Sequence, residues 1–340
     1  MEDKIRVLVA DDSLVARELI AKVLERDPQI EVVGKAKDGK ETVELVSLLK
    51  PNLITMDLRM PVMDGFGAIE QIMAWNPTPI LVVTATSFQR KREIAFEALS
   101  MGALDIVEKP SLGEDPFQVG DLLIQKVRML SQVPVVTHLK GKRKEPLRLE
   151  GPVKGTSKLV AIGASTGGPN ALCQILSQLP ADFPAGMVIV QHITKGFVPG
   201  LVEWLNRGCK IRVKKAQQGE KVGPGDALIS PDQQHLEVIG GGRIRLSDDP
   251  PLDGYRPSAD RLLSSVGQVY GPDAIGVLLT GMGSDGARGM RMIKALGGQT
   301  IVQDAESCVV FGMPKAAIEM GGVGKVVPLD SIAREIIRML

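Results

Sequence analysis

The segment G-A-S-T-G at 163–167 places a serine in a glycine-rich turn that directly follows an apolar strand pattern. Small residues let a chain turn sharply from strand to helix, so the hydroxyl of Ser165 is predicted to stand exposed beside a helix N-terminus, as a nucleophile does. Two other interpretations of this turn remain open. A glycine-rich strand-to-helix turn can also cradle a phosphate group, and a serine there can simply cap the helix.

A serine nucleophile needs a histidine as its base, and the chain contains three histidines. His192 ends the apolar run MVIVQH, so we expect it at the same sheet edge as Ser165. His138 falls in a basic segment with prolines and is predicted to be solvated. His235 falls in a hairpin-like region and is predicted to be a surface strand residue. His192 is therefore the predicted base.

The base in turn needs a carboxylate that orients it. Asp285 follows another strand pattern, in the glycine-rich segment 280–289, whose backbone N–H groups could also form an oxyanion hole. Asp253 and Asp260 are weaker candidates, because each also fits an ordinary loop or helix-side acid. The chain order of serine, histidine and aspartate differs from that of α/β-hydrolases, which predicts a different fold with the same chemistry.

A second set of polar residues lies in the N-terminal half. Its members each end an apolar strand pattern or adjoin such an end: Asp11, Asp12, Asp57, Thr84 and Lys109. Carboxylates brought together at one sheet edge repel one another, so a hard cation such as Mg²⁺ is expected to neutralise them. A phosphoryl group transferred to Asp57 would then be held by the cation, a lysine and a hydroxyl.

The first half of the chain alternates apolar β-branched runs with helical patterns. Strands are predicted at 5–12, 31–38, 53–58, 80–87 and 103–110, and helices at 14–26 and 40–49. This alternation predicts an α/β fold with a doubly wound, flavodoxin-like sheet of five parallel strands.

The second half repeats the alternation around a different set of turns. Strands are predicted at 158–166, 186–193 and 300–305, the last of the chain, with helices at 169–179 and 256–270, a strand, turn and helix at 274–298, and a β-rich stretch at 211–249. The pattern predicts a second, Rossmann-like α/β sheet with a β-hairpin insertion.

The basic residues are concentrated between these two halves. Residues 126–158 hold nine basic and two acidic residues, against 14 and 21 in 1–125 and 18 and 17 in 159–340. The segment is also rich in proline and glycine and lacks an apolar period, which predicts an exposed linker. We predict domains at 1–125 and 158–340, joined by a linker at 126–157.

The composition excludes several classes of protein. Hydrophobic residues make up 44% and charged residues 24%, which predicts a packed chain, and with 3% aromatic residues its cores must be aliphatic. The start lacks a basic segment followed by an apolar one, so no signal peptide is predicted. No apolar run approaches about 18 residues, so no membrane insertion is expected. Three cysteines without metal-type spacing fit a reduced cytoplasm.

The first half resembles the receiver domain of response regulators over about residues 1–125. The matching pieces are Asp11-Asp12, Asp57, MPVMDG at 60–65, Thr84 and Lys109-Pro110. The resemblance implies that Asp57 is the phosphorylated aspartate. It also implies that Asp12 and Asp57 bind Mg²⁺, with Asp11 in the second shell or bound through water.

Two further receiver roles follow from the same resemblance. Lys109 is expected to contact the phosphoryl group, and Thr84 is expected to be the switch hydroxyl. Many receivers carry an aromatic residue three positions before the lysine, where this chain has Ile106. This departure puts the aromatic-rotation form of the switch in question.

The second half is similar to the catalytic domain of chemotaxis protein-glutamate methylesterases, the CheB family. The matching segments are IGASTGGP (162–169), VIVQH (188–192), RPSAD (256–260) and TGMGSDGARG (280–289), and the order of receiver, linker and esterase matches across nearly the whole chain. The resemblance implies that Ser165 is the nucleophile, His192 the base and acid, and Asp285 the residue that orients His192.

The resemblance also implies secondary roles around the triad. The backbone of Met282 is expected to donate to the oxyanion, and Thr166 to help hold the histidine. The family commonly has a histidine before the RPS segment, where this chain has Tyr255. We expect this difference to affect substrate contacts modestly at most.

The resemblance implies a chemotaxis function. The esterase would remove methyl groups from glutamate methyl esters of chemoreceptors, release methanol, and deamidate receptor glutamines, without a cofactor. Phosphorylation of Asp57 by a chemotaxis histidine kinase, with Mg²⁺, would activate it. The implied location is the cytoplasm, with the cytoplasmic domains of receptors as substrate and no nucleic acid as partner.

Two other classes of function fit the sequence less well. A response regulator that binds DNA would need a basic recognition helix, whereas residues 159–340 are nearly neutral and alternate strands with glycine-rich turns. A dinucleotide-binding domain could use GASTGGP, but His192 takes the strand end where an acid would hold the ribose.

Overall fold

The computed structural model describes residues 4–84, 89–110, 116–135, 147 and 157–340. The chain divides into two compact units, Met1–Lys142 and Arg143–Leu340. His138, most of the predicted linker and the end of the strand predicted at 80–87 lie outside the described residues. Among the described helices, none is both long and apolar enough to cross a membrane.

The first unit is built on five parallel strands in the order β2-β1-β3-β4-β5. They are β1 (Ile5–Ala10), β2 (Ile30–Ala36), β3 (Leu53–Met56), β4 (Ile80–Thr84) and β5 (Asp105–Glu108). The doubly wound sheet predicted from the sequence is confirmed. Strands β1 and β3 lie side by side and end just before Asp11 and Asp57, so both acids reach the same sheet edge.

The helices of the first unit are α1 (Leu14–Leu24), α2 (Gly39–Leu49), α3 (Gly65–Trp75), α4 (Gln89–Ser100) and α5 (Pro116–Leu130). Three of them begin at a polar N-cap whose side chain accepts a backbone N–H of the first turn: Ser13, Asp38 and Asp64. Helix α5 continues beyond residue 125, the predicted end of the receiver domain. The domain boundaries themselves stay a prediction.

The second unit contains a seven-stranded parallel sheet in the order β14-β13-β12-β6-β7-β9-β8. Its strands are β6 (Leu159–Ala164), β7 (Gly186–Gln191), β8 (Arg212–Lys215), β9 (Asp226–Ile229), β12 (Ala274–Leu278), β13 (Gln299–Gln303) and β14 (Lys325–Val327). The predicted β-hairpin insertion is also confirmed, as the antiparallel pair β10 (His235–Ile239) and β11 (Arg243–Ser247).

Helices pack against this second sheet, as expected for an α/β fold. They are α6 (Gly168–Leu176), α7 (Val198–Gly208), α8 (Ala259–Tyr270), α9 (Ala287–Ala295), α10 (Met313–Glu319) and α11 (Leu329–Met339). Apart from small residues, the core they enclose is almost entirely Leu, Ile, Val and Met, as the scarcity of aromatic residues predicted.

One sequence prediction about this unit was wrong. The strand predicted at 300–305 is not the last, because β14 follows it and pairs with β13 at the edge of the sheet. Strand β14 has three residues, two of them exposed, so it carries no apolar run that a sequence pattern could detect.

Candidate active site and phosphoacceptor pocket

Ser165 lies in the turn between β6 and α6. Its backbone N–H donates to the carbonyl of Thr280 at 3.0 Å, and its own carbonyl accepts from Gly168 N–H at 2.8 Å. Gly167 caps α6 with φ +77°, a left-handed conformation that suits glycine. The chain therefore reverses direction directly after Ser165, and the predicted strand-to-helix turn is present.

The segment after β12 passes very close to Ser165. A Cβ atom built on Gly281 would lie 2.6 Å from Ser165 Cβ, which leaves room for glycine alone. The N–H of Gly281 donates to Val310 O at 3.0 Å, and its carbonyl accepts from Met313 N–H at 2.9 Å. These bonds hold the next residue, Met282, beside the serine.

His192 follows the end of β7, the strand that pairs with β6. Its backbone N–H donates to Ala164 O at 2.9 Å, which places it one strand away from Ser165. The buried side chain of Gln191 adds a second link, because its Nε2 donates to the carbonyls of both Ser165 and His192 at 2.8 Å. The ends of β6 and β7 are thereby held together.

Asp285 contacts the His192 imidazole, and it is a buried residue. The distance from His192 Nε2 to Asp285 Oδ2 is 2.9 Å. The carboxylate also accepts three hydrogen bonds from the start of α8: from the Ser258 hydroxyl at 2.8 Å, Ala259 N–H at 2.6 Å and Asp260 N–H at 2.9 Å. Asp285 is thus fixed at a helix N-terminus, where a negative charge is favoured.

These contacts decide the charge state of Asp285. Burial alone would raise its pKa, but the hydrogen bond from His192 and the N–H groups of Asp260 and Ala259 outweigh burial and lower the pKa. The ionised carboxylate accepts a proton-bearing nitrogen, so Nε2 of a neutral His192 carries its hydrogen. Nδ1 is then the nitrogen with the free lone pair.

The histidine and the serine are not joined by a hydrogen bond. His192 Nδ1 is buried and has no hydrogen-bond partner among the described residues. The Ser165 hydroxyl likewise makes no hydrogen bond within the described part of the chain. The structure therefore brings Asp285 and His192 into contact and places Ser165 at the neighbouring strand end. The roles of all three stay predictions.

Tyr255 lies against the His192 ring, a contact that the sequence did not reveal. The two rings stack with centroids 4.6 Å apart and an interplanar angle of 12°. A tight turn presents the tyrosine, because Leu252 and Tyr255 exchange backbone hydrogen bonds around Asp253 and Gly254, both with positive φ. Tyr255, at the position where the family commonly has a histidine, therefore contacts the predicted base itself. Its effect is not confined to substrate contacts.

The prediction that His235 is a surface residue was wrong. Its side chain is completely buried, and Nδ1 accepts the backbone N–H of Ser258 at 3.2 Å. The reason is that the start of α8 and the segment after β11 cover the ring, since the Ser258 N–H contacts Nδ1 and the Pro250 carbonyl contacts Nε2. Its sequence neighbours, one polar (Gln234) and one apolar (Leu236), gave no sign of this cover.

The structure also shows where the other candidate residues around the predicted triad lie. Asp260 lies in the first turn of α8, is buried, and accepts Gly289 N–H at 2.8 Å, while Asp253 pairs with Arg288. Thr166 is buried, and its carbonyl accepts the Thr280 hydroxyl. The N–H of Met282 makes no hydrogen bond to any described residue, so it is free to donate.

The acidic residues of the first unit converge on a lysine. Lys109 Nζ lies 2.7 Å from both Asp57 Oδ2 and Asp11 Oδ2. Burial opposes the charge of Lys109, but the two carboxylates outweigh that effect and raise its pKa. Burial raises the pKa of Asp11, with Asp57 adding to the rise. Burial thus makes the ionised form of Asp11 less favourable than in water, while the contact with Lys109 favours it.

The same carboxylates fit a magnesium ion. One oxygen from each of Asp11, Asp12 and Asp57 lies within 4.8 Å of the others, and Asp12 is exposed. Such a set of oxygen ligands, open to solvent on one side, suits a cation that keeps several waters. Thr84 ends β4, where its carbonyl accepts Lys109 N–H at 2.9 Å, and Ile106 is buried in β5. The roles of these residues stay predictions.

Comparison with known proteins agrees with both halves. The family model described as CheB methylesterase matches residues 160–336, and the model described as response regulator receiver domain matches residues 7–117. A crystal structure of the CheB methylesterase catalytic domain from Thermotoga maritima is 39% identical, with a TM-score of 0.53, and covers 54% of this chain and 100% of its own.

Full-length relatives share both halves. A protein-glutamate methylesterase/protein-glutamine glutaminase of Anaeromyxobacter dehalogenans is 47% identical over 97% of this chain and 95% of its own length. One of Syntrophus aciditrophicus is 43% identical over 98% of each. This chain therefore belongs to the CheB family of protein-glutamate methylesterases/protein-glutamine glutaminases, and carries the receiver domain of a response regulator at its N-terminal end.

Proposed function

We propose that the second unit hydrolyses glutamate γ-methyl esters of chemoreceptors, releases methanol, and deamidates receptor glutamines. The observation that carries this proposal is the His192–Asp285 pair, anchored on the start of α8 and set at the strand end next to Ser165. An imidazole with one nitrogen held by a buried carboxylate and the other nitrogen free is poised to accept a proton.

The first half of the reaction is acyl transfer to Ser165. His192 Nδ1 takes the hydroxyl proton as the serine oxygen bonds to the ester carbonyl carbon. The resulting imidazolium is stabilised by Asp285, whose lowered pKa keeps it ionised. The same nitrogen then gives its proton to the departing methoxide, and methanol leaves an acyl-enzyme.

The second half of the reaction hydrolyses the acyl-enzyme and regenerates the free hydroxyl of Ser165. Water attacks the acyl-enzyme, His192 Nδ1 accepts one of its protons, and that proton passes to Ser165 as the glutamic acid side chain leaves and releases its remaining proton to solvent. With a glutamine side chain the leaving group is ammonia instead of methanol, so the same residues serve both reactions.

The negative oxygen of the tetrahedral intermediate needs hydrogen-bond donors. The backbone N–H of Met282 supports this role, because it has no partner among the described residues and its chain segment packs against Ser165. Preorganised donors of this kind are a large part of catalysis by acyl-transfer enzymes. No step of this mechanism requires a cofactor.

The first unit is proposed to control this activity through phosphorylation of Asp57 by a chemotaxis histidine kinase. Asp12 and Asp57 would hold Mg²⁺, with Asp11 behind them, and the ion would neutralise charge on the phosphoryl group. Lys109, already in contact with Asp57, would pair with the phosphoryl oxygens, and Thr84 would respond as the switch hydroxyl. The proposed substrates, the cytoplasmic domains of receptors, place the enzyme in the cytoplasm.

The assay for the esterase is methanol release from methylated receptors by the full chain and by Ser165→Ala. Loss of the nucleophile is expected to abolish release above background. Ser331→Ala is the control, because that hydroxyl donates to the exposed Asp330 carboxylate and, among the described residues, makes no other hydrogen bond, so the variant should keep wild-type activity. Full activity of Ser165→Ala would overturn the proposal.

Control by the receiver is tested with a small phosphoryl donor. Acetyl phosphate with Mg²⁺ is expected to raise the rate of the wild type and to leave Asp57→Asn unchanged. Coupling between two conformational states requires only about 1–3 kcal/mol, so a 5- to 150-fold change is the range to expect. Equal rates in all four measurements would refute the coupling.

A further inference from the structure

We infer that His235 is a positioning residue of the esterase site: its neutral imidazole holds the start of α8, and through it Asp285 and His192. This inference rests on the proposed function and deepens it. His235 touches neither the predicted nucleophile nor the predicted base. It acts through a chain of hydrogen bonds that runs across three separate segments of the second unit.

The hydrogen bonds of His235 assign its protonation. Nδ1 faces the backbone N–H of Ser258 at 3.2 Å, which can only donate, and Nε2 faces the carbonyl of Pro250 at 3.2 Å, which can only accept. The ring must therefore be neutral, with its hydrogen on Nε2. A proton on Nδ1 would set two donors against each other in a fully buried site.

Ser258 transmits this contact to the predicted triad. It is the N-cap of α8, and its hydroxyl donates to Asp285 Oδ1 at 2.8 Å while accepting from Arg261 N–H at 3.3 Å. The next two N–H groups, of Ala259 and Asp260, also donate to Asp285. Three of the four hydrogen-bond donors to Asp285 are thus fixed by the first turn that His235 holds.

The surroundings of His235 favour this neutral form. Burial lowers its pKa, and the charges of Arg261 and Arg256 lower it further, against the raising effects of the Pro250 carbonyl and Glu237. Glu237 lies on the same strand as His235 and pairs with Arg245 and Arg261. The histidine is therefore available as an acceptor at neutral pH.

Loss of this acceptor has a specific consequence. The Ser258 N–H would be buried without a partner, and the first turn of α8 would shift to recover one. Asp285 would then lose the geometry that fixes the His192 ring, while the surface that meets the receptor would be unchanged. The expected effect is a lower kcat at unchanged KM, roughly 10- to 100-fold, by analogy with the loss seen when residues that orient metal ligands are removed from metalloenzymes.

The test compares His235→Leu with His235→Asn in the full chain, with methylated receptor as substrate. Leucine has similar bulk and no acceptor. The Oδ1 of asparagine lies close to the position of Nδ1, so it can accept the Ser258 N–H. We expect His235→Leu to lose kcat at constant KM, and His235→Asn to recover most of it. Wild-type kcat in a folded His235→Leu would overturn the inference.

Nuclear magnetic resonance distinguishes a positioning role of His235 from a general effect on stability, because it reports the His192–Asp285 hydrogen bond directly. The low-field proton of the His192–Asp285 hydrogen bond is expected to shift or broaden in His235→Leu and to return in His235→Asn. In the wild type, ring nitrogen shifts at neutral pH should report His235 with its hydrogen on Nε2. A hydrogen on Nδ1 would overturn the inference, even if His235→Leu fails to fold.

Failure of the inference and failure of the proposed function are distinguishable. Activity retained by Ser165→Ala defeats the proposed function whatever the His235 variants do. An inactive Ser165→Ala together with a fully active His235→Leu defeats only the positioning role.

Discussion

At the scale of single residues, the predicted base His192 is held from two directions. Asp285 binds Nε2 in the plane of the ring, and Tyr255 covers one face of the ring at 4.6 Å. Burial, with the nearby Asp285, raises the pKa of Tyr255, so the phenol stays neutral. A neutral aromatic face favours an adjacent imidazolium, whereas a histidine at this position could carry a competing positive charge.

Two replacements of Tyr255 should separate the effect of ring stacking on kcat from the effect of the hydroxyl group. Tyr255→Ala removes the stacked face and is expected to lower kcat about 3- to 10-fold, since stacked aromatic pairs contribute about 0.5–1.5 kcal/mol. Tyr255→Phe keeps the face and should stay near the wild type. Steady-state methanol release measures both, and an unaffected Tyr255→Ala would show that the stack does not hold the base.

The stability of the second unit should depend on pH through His235. Because its pKa is lowered by folding, the unfolded chain binds the proton first as pH falls. The stability contributed by the neutral ring is complete above the unfolded pKa of about 6.5 and declines as pH falls below it. Thermal melts of wild type and His235→Asn, measured from about one pH unit above that pKa to about one and a half units below it, should converge at the acid end. Parallel curves would contradict this expectation.

Val62 is strained in the loop that follows the predicted phosphoacceptor. Its φ is +65°, in the left-handed region that disfavours a β-branched residue, and the residue is 83% exposed. Val62→Asn is expected to stabilise the first unit by about 1 kcal/mol, because asparagine tolerates this conformation. The matched control is Val15→Asn, an exposed valine with ordinary helical backbone in α1. Equal changes in the two denaturant melts would refute the strain.

At the scale of elements, the first turn of α8 supports both the fold and the site. Helix N-termini leave N–H groups without partners, and here Asp285 takes two of them while Ser258 caps a third. The chain thus supplies its predicted catalytic carboxylate as a helix cap. A change in this turn is therefore expected to alter stability and catalysis together.

Ser258→Ala tests that link. It removes the cap and the hydroxyl that donates to Asp285, so the free energy of unfolding should fall by about 0.5–2 kcal/mol and kcat should fall with it. Ser13→Ala removes the comparable cap of α1 in the first unit, where Ser13 accepts Ala16 N–H. That control should lose similar stability with no loss of basal kcat. The measurements are denaturant melts and methanol release, and a Ser258→Ala of normal kcat would break the link.

At the scale of the whole molecule, two parallel sheets each present chemistry at the carboxyl ends of neighbouring strands. The first sheet gathers carboxylates and a lysine after β1, β3 and β5, and the second gathers a serine, a histidine and an aspartate after β6, β7 and β12. The same topological rule therefore accounts for the predicted cation site in one unit and the predicted hydrolytic site in the other.

Magnesium should stabilise the chain through the first unit. Asp11→Asn removes a carboxylate whose pKa is raised by burial and by Asp57, so it is expected to stabilise the metal-free protein. The same change should weaken the rise in melting temperature that Mg²⁺ causes in the wild type. Calorimetry with and without Mg²⁺ measures both effects. An equal rise in both proteins would argue against a magnesium site at these carboxylates.

Much of this architecture could be predicted from local patterns. Apolar runs that end in Asp11, Asp57, Ser165 or His192 predicted buried parallel strands, and those residues do follow strand ends in the structure. Such runs are readable because a strand buried on both faces must be apolar along its whole length. Strand β14 was not predicted because it is short and mostly exposed at a sheet edge.

The sequence by itself determined the two α/β units, the glycine turn at Ser165 and the residue types of both sites. Only the tertiary structure decided that β6 lies between β7 and β12, which brings the segments carrying Ser165, His192 and Asp285 to one edge. It also decided that His235 is buried and that Tyr255 covers His192. These contacts join residues tens of positions apart, so they depend on strand order and helix packing, which local composition does not encode.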